Sequence, residues 1–241
     1  DTCYPALLVI GQFLDALSSG RYDPHKVALM ITQTGGGCRA SNYIHLLRKA
    51  LAKAGYGYVP VISLSMTGLE KNSGFRITFS VLRMAIAALA YGDLLMSLDN
   101  QTRPYEKRPG DSAAAVARWQ ERLSDLLAKG KGCFVRDVKR ISKQIAAEFD
   151  AIPVYPKNKL KVGIVGEIYV KYSALGNNGL EKFLFEQGCE VCLPGILGFA
   201  MYMAENSVIG YELYGGSAVI KTAAAAARRK SSSSARPQSP P

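Results

Sequence analysis

The chain has 241 residues, 48% of them hydrophobic, with 30 lysines and arginines against 19 acids and a formal net charge of +11. That length holds two small domains or one large one, and the apolar content supports a folded core, which excludes a wholly disordered chain. Five of the positive charges, Lys221, Arg228, Arg229, Lys230 and Arg236, fall in an acid-free C-terminal stretch and leave 25 basic against 19 acidic residues before it. So mild a surplus argues against nucleic-acid binding and suits a phosphate-bearing small molecule or an acidic protein partner.

At the start, Cys3 precedes Pro5, a residue suited to a first helical turn, and Leu7, Ile10, Leu14 and Leu17 then trace one helical face up to Gly20. The run Val27 to Ile31 is short, rich in β-branched residues and bounded by turn residues, as a buried parallel strand would be. Behind it comes the loop Gln33-Thr34-Gly35-Gly36-Gly37-Cys38-Arg39, and Tyr43, Leu47 and Leu51 recur at helical spacing. The loop is therefore expected at a strand's carboxyl end, where α/β folds place their ligands. Gly35, Gly36 and Gly37 allow close backbone approach to something bulky, and a helix start favours a thiolate. A metal cluster fits this arrangement, and so does an anion. Loops on neighbouring strands can meet at one edge, so Cys3 and Cys38 can share a centre; the alternative is that each is a small packed hydrophobe.

Val59 to Ser65 reads as the next strand and completes a strand, helix, strand unit. From Ser80 to Phe149 the signal is helical. Leu82, Ile86 and Leu89 share a face, as do Val116, Leu123 and Leu127, and then Val138, Ile141 and Ile145, with Gln101 to Asp111 as a break and Trp119 packed between helices. The most apolar stretch, Ile77 to Met96, is interrupted by Arg83, Tyr91, Gly92 and Asp93, so no membrane span is expected. Without a signal-peptide pattern, and with five cysteines that lack a secreted scaffold's dense spacing, a cytoplasmic chain with free or metal-bound thiols is expected.

A boundary at Ile152 to Lys161 leads into a second α/β unit, with a strand at Val162 to Gly166, a helix from Leu180 to Glu186 and a strand around Val191. Glu167 and Asn177-Asn178-Gly179 follow the first of these strands; the latter reads equally as a turn opening a helix or as a ligand contact. Cys189 and Cys192 are spaced C-x-x-C on a strand, where positions three apart face opposite ways, so a redox dithiol is not expected and packing is favoured, as for Cys133. His25 and His45 are isolated, and Gln33 to Cys38 lacks the terminal Lys-Ser/Thr of a P-loop. The expected organisation is a first α/β unit over 1–79, a helical region over 80–151, a second α/β unit over 152–221 and a disordered tail over 222–241.

Three segments, Asp1-Thr2-Cys3-Tyr4-Pro5-Ala6, Gln33 to Tyr43, and Val162-Gly163-Ile164-Val165-Gly166-Glu167-Ile168-Tyr169, together resemble the 2-hydroxyacyl-CoA dehydratase family, in particular the cluster-binding portion of large proteins fused to an ATP-dependent activase. The resemblance runs from residue 1 to about 221. It implies two flavodoxin-like or Rossmann-like parallel-sheet domains around the helical region and an iron–sulfur cluster, [4Fe–4S] or double cubane, held by Cys3 and Cys38 with Cys189 as a further ligand. It also implies an ATP-hydrolysing electron donor, a second dehydratase-like subunit or a homodimer, and an acyl-CoA substrate. Removing the unacidified β-proton of a 2-hydroxyacyl thioester calls for a low-potential electron, which a cluster can carry. Reductases with a double-cubane cluster share the architecture. With no activase region before Cys3 and a tail after Lys221 unlike the family, the chain is expected to be a fragment that does not turn over alone. The competing expectation is a metal-free Rossmann-like domain that binds a nucleotide or CoA through the same loop.

Overall fold

The computed structural model describes residues 3–33, 38–65 and 78–215. In chain order the elements are α1 (Tyr4–Ser18), β1 (Leu29–Gln33), α2 (Tyr43–Lys53), β2 (Val61–Ser65) and α3 (Phe79–Thr102). There follow α4 (Asp111–Ala128), α5 (Val135–Asp150), β3 (Lys161–Gly163), α6 (Ile168–Tyr172), α7 (Leu180–Glu186), β4 (Glu190–Cys192) and α8 (Ile196–Tyr214). The chain divides into two compact units, Asp1–Thr78 with Val165–Phe183 and Phe79–Ile164 with Leu184–Pro241.

In the first unit β1 and β2 pair in parallel from Leu29↔Val61 to Gln33↔Ser65, with α2 as the crossover between them. Alternation along β1 turns Leu29, Ile31 and Gln33 inward. Helix α2 answers with Ile44, Leu47 and Leu51, spaced so that one face meets the strands, and Leu17 and Val59 close this core. Of the expected α1 face, Ile10, Leu14 and Leu17 pack here, whereas Leu7 is 57% exposed and Ala6 takes the inward position.

In the second unit α3, α4 and α5 enclose a core of Tyr91, Leu95, Trp119, Leu123, Ile141, Ile145 and Phe149. Trp119 lies within that core, as expected. The inward face of α3 is Ala87, Tyr91 and Leu95, while the shared face of Leu82, Ile86 and Leu89 is exposed. Helix α3 runs on through Gly92 and Asp93, the polar and small residues that interrupt its apolar stretch. With the short 3-10 turn after it, Phe79–Tyr105 is one continuous stretch, and by length and composition it is the one helix among the described residues able to cross a membrane. Its C-terminal end is tied to α4: buried Asp99 meets Arg103 and the Ser112 hydroxyl, and Glu106 accepts from the Gly110 and Ser112 amides at 2.7 and 2.9 Å. Gly110, at φ +99, makes that tight helix start possible.

Strands β3 and β4 pair in parallel over three residues, Lys161↔Glu190 to Gly163↔Cys192. The α/β class thus holds, but each unit carries a two-stranded sheet and not a full Rossmann-like domain. The reason lies in strand supply. A doubly wound sheet reverses its order around a central strand, and two strands per unit among the described residues leave no such reversal. Expected strand Val162 to Gly166 ends at Gly163, and the expected tail, 222–241, lies outside the described residues.

Candidate functional site

Cys3 is the residue just before α1, in extended backbone, and its carbonyl accepts from the Ala6 and Leu7 amides at 3.0 and 3.3 Å. Pro5 in the first turn needs no donor there, so the helix starts cleanly and its thiol stands at the positive end of a 15-residue helix. Cys38 occupies the same kind of position. It precedes the 3-10 turn Arg39–Asn42 that runs into α2, and its carbonyl accepts from the Ser41 amide at 3.1 Å and the Ser41 hydroxyl at 2.6 Å. Cys3 is half-buried and Cys38 is exposed.

Tyr43, the first residue of α2, reaches the first of these thiols. Its hydroxyl donates to Cys3 Sγ at 3.0 Å. Burial, then the hydrogen bond to Cys3, then the negative charge available to Cys3, Glu167 and Cys38 hold its phenol well above the usual tyrosine range. Tyr43 therefore remains a protonated donor at neutral pH, with two thiols and one carboxylate around it. Glu167 caps α6 by accepting from the Val170 amide at 2.9 Å, which fixes that carboxylate.

A further residue, absent from the expected set, fixes the Cys38 segment. Gln33 is buried at the end of β1; its amide nitrogen donates to the Ser41 carbonyl and its amide oxygen accepts from the Ser63 hydroxyl, each at 2.8 Å. Strand β1, strand β2 and the turn behind Cys38 are thereby linked through one side chain. The signal for it was present in β1: Gln33 continues the inward alternation of Leu29 and Ile31, and an inward amide needs partners.

No family model, no curated protein and no solved structure matches this chain. Gly35, Gly36 and Gly37 lie outside the described residues. Cys189 belongs to the second unit, half-buried after α7 with its amide donating to the Leu184 carbonyl at 3.0 Å. Cys133 is buried as expected, against the Arg83 guanidinium and the Gly130 carbonyl. Cys192, expected to pack, is exposed, because it ends the three-residue β4 at the sheet's carboxyl edge. Among the described residues no three His, Cys, Asp or Glu side chains group closely enough to hold a metal ion. Asn177 resolves to the turn reading: its side-chain oxygen accepts from the Leu180 amide at the start of α7, and Asn178 and Gly179 take positive φ. His25 stacks on Tyr58 at 4.5 Å between ring centroids.

Proposed function

We propose that this chain is the iron–sulfur-binding, electron-accepting part of an ATP-activated protein of the 2-hydroxyacyl-CoA dehydratase or double-cubane reductase kind, acting in an anaerobic cytoplasm. The observation that carries the reading is that Cys3 and Cys38 each stand directly before a helical start in the first unit, with the Tyr43 hydroxyl donating to Cys3 Sγ at 3.0 Å. Thiolates are the soft donors suited to such clusters, so the donor chemistry fits. Cys3 and Cys38 would be the first unit's ligands, and a second dehydratase-like subunit or a second copy of the chain would complete the set. When bound, the cluster supplies one-electron transfer, with an ATP-dependent activase as donor and an acyl-CoA as the candidate substrate.

Around it the chain's own residues orient and hold. Tyr43 donates to the Cys3 sulfur and limits its rotation, Gln33 pins the turn behind Cys38, and the amide ends of the helices favour anionic sulfur. Anaerobic reconstitution with ferrous iron and sulfide tests the reading, followed by iron and acid-labile sulfide analysis of the desalted protein. Both should co-purify with the chain. Absence of both after reconstitution overturns the reading in favour of a metal-free nucleotide-binding or CoA-binding domain.

A further inference from the structure

The second unit holds a cavity of about 430 Å³ beside the carboxyl end of β4. That volume lies in the range of small-molecule sites, roughly 300 to 1,000 Å³. Its polar wall is formed by the Lys161 ammonium, buried Asn100, Gln101, whose amide nitrogen donates one hydrogen to the Ser97 hydroxyl at 2.9 Å, and the Cys192 thiol, with Leu193 and Pro194 as an apolar side. The acid in the wall, Glu190, is 2% exposed and already engaged. One oxygen accepts from the Tyr105 hydroxyl at 2.7 Å and the other faces Lys161 Nζ at 3.2 Å. Its charge is thus answered inside the fold. Lys157 and Lys159 place ammonium groups 6.0 and 5.8 Å from the ring centroid of Tyr105, the residue that bonds Glu190.

We propose that this cavity binds a small organic anion, with its carboxylate or phosphate group on Lys161 and the Gln101 amide and its carbon portion against Leu193 and Pro194. Glu190 pairs with Lys161 in the wall but uses one of three ammonium protons, and the Lys161 side chain is 64% exposed, so donors are left for an incoming acid. Lys157 and Lys159, set against the Tyr105 ring, add positive charge to this unit beside the paired Lys161, and the apolar side sets the preference for an organic acid.

Cys192 in the wall reports on this directly. Alkylation by iodoacetate and by its neutral counterpart iodoacetamide follows one course, in which the thiolate forms an S–C bond and iodide leaves, so the rate ratio measures local attraction of an anion. With site-resolved mass spectrometry, the iodoacetate-to-iodoacetamide ratio at Cys192 in the folded chain should exceed that of the urea-unfolded chain by about threefold or more. Lys161→Gln should remove the excess and Lys161→Arg restore it. Millimolar butyrate or inorganic phosphate should slow Cys192 alkylation, and whichever protects at the lower concentration names the preferred acid group. Equal ratios in the folded and unfolded wild-type chain, together with no protection by either anion, overturn the proposal without reliance on any variant.

Discussion

The Tyr43 hydroxyl donates to Cys3 Sγ at 3.0 Å across 40 positions of sequence, joining the start of α2 to the residue before α1. Sulfur is a weak acceptor, yet the phenol is half-buried and a lost partner leaves it underserved. Tyr43→Phe should cost about 1 kcal/mol in urea unfolding, and Cys3→Ala a comparable amount. The double variant should lose less than the sum of the two, since both remove one contact. Strict additivity would mean the contact contributes nothing.

Cys38 and Cys133 should respond oppositely to the same exchange. Cys38 is exposed in a turn, so Cys38→Ser should leave circular dichroism unchanged and stability within about 0.5 kcal/mol, while bound iron falls after anaerobic reconstitution. Cys133 is 4% exposed in the helical core, so Cys133→Ser should cost about 1 to 3 kcal/mol and leave the iron content of the folded fraction unaltered. Full iron in Cys38→Ser would remove Cys38 from the ligand set.

Periodicity made α2 readable because its apolar spacing agrees with its packing, and Leu180 to Glu186 is also the helix expected. It misread α3. There Leu82, Ile86 and Leu89 outrank Ala87 and Tyr91 in bulk or hydrophobicity, but the latter pair packs inward: Ala87 is small enough for close packing, and buried Tyr91 finds the Gly132 carbonyl at 2.7 Å. That partner lies 41 positions away, beyond any local pattern. For the candidate site, the cysteine loops were legible from glycines and helix starts, whereas Tyr43 and Gln33 were not assigned roles. Each acts through contacts that only the folded chain brings within reach.

Three of the 13 tyrosines give the chain an alkaline weakness. Tyr43 is raised by burial and its bond to Cys3, Tyr91 by burial and the charge of Asp137, and Tyr105 by burial and its bond to Glu190. In the unfolded chain a tyrosine ionises near pH 10, so below that both states keep the proton and the full stabilisation is present. Above it the unfolded state loses protons that the folded state retains, and stability falls as pH rises. Urea midpoints should hold level to about pH 9 and decline by about pH 11, with a shallower decline in Tyr91→Phe. Absorbance at 295 nm should show these phenols ionising only as the fold opens. A midpoint that holds level through the same range would show that these phenols are not linked to folding.

The start of α8 depends on a carboxylate from another helix. Gly195 stands at the cap position without a side chain, and Asp93 of α3 takes over its role, accepting from the Ile196 and Leu197 amides at 2.9 and 2.8 Å. A Cβ on Gly195 would run into the Asp93 carboxylate, although the backbone there, φ −69 and ψ 159, suits any residue. The cost of Gly195→Ala is therefore steric overlap and not backbone strain, about 1 to 3 kcal/mol. Asp93→Ala should cost about 1 kcal/mol through the two orphaned amides. Combined, the two should be strongly non-additive: with the carboxylate gone the extra methyl has room, and Gly195→Ala should then cost little. The four chains of this cycle can be compared by urea unfolding, and agreement with additivity within about 0.5 kcal/mol would refute the idea that Asp93 occupies the space a cap side chain would need.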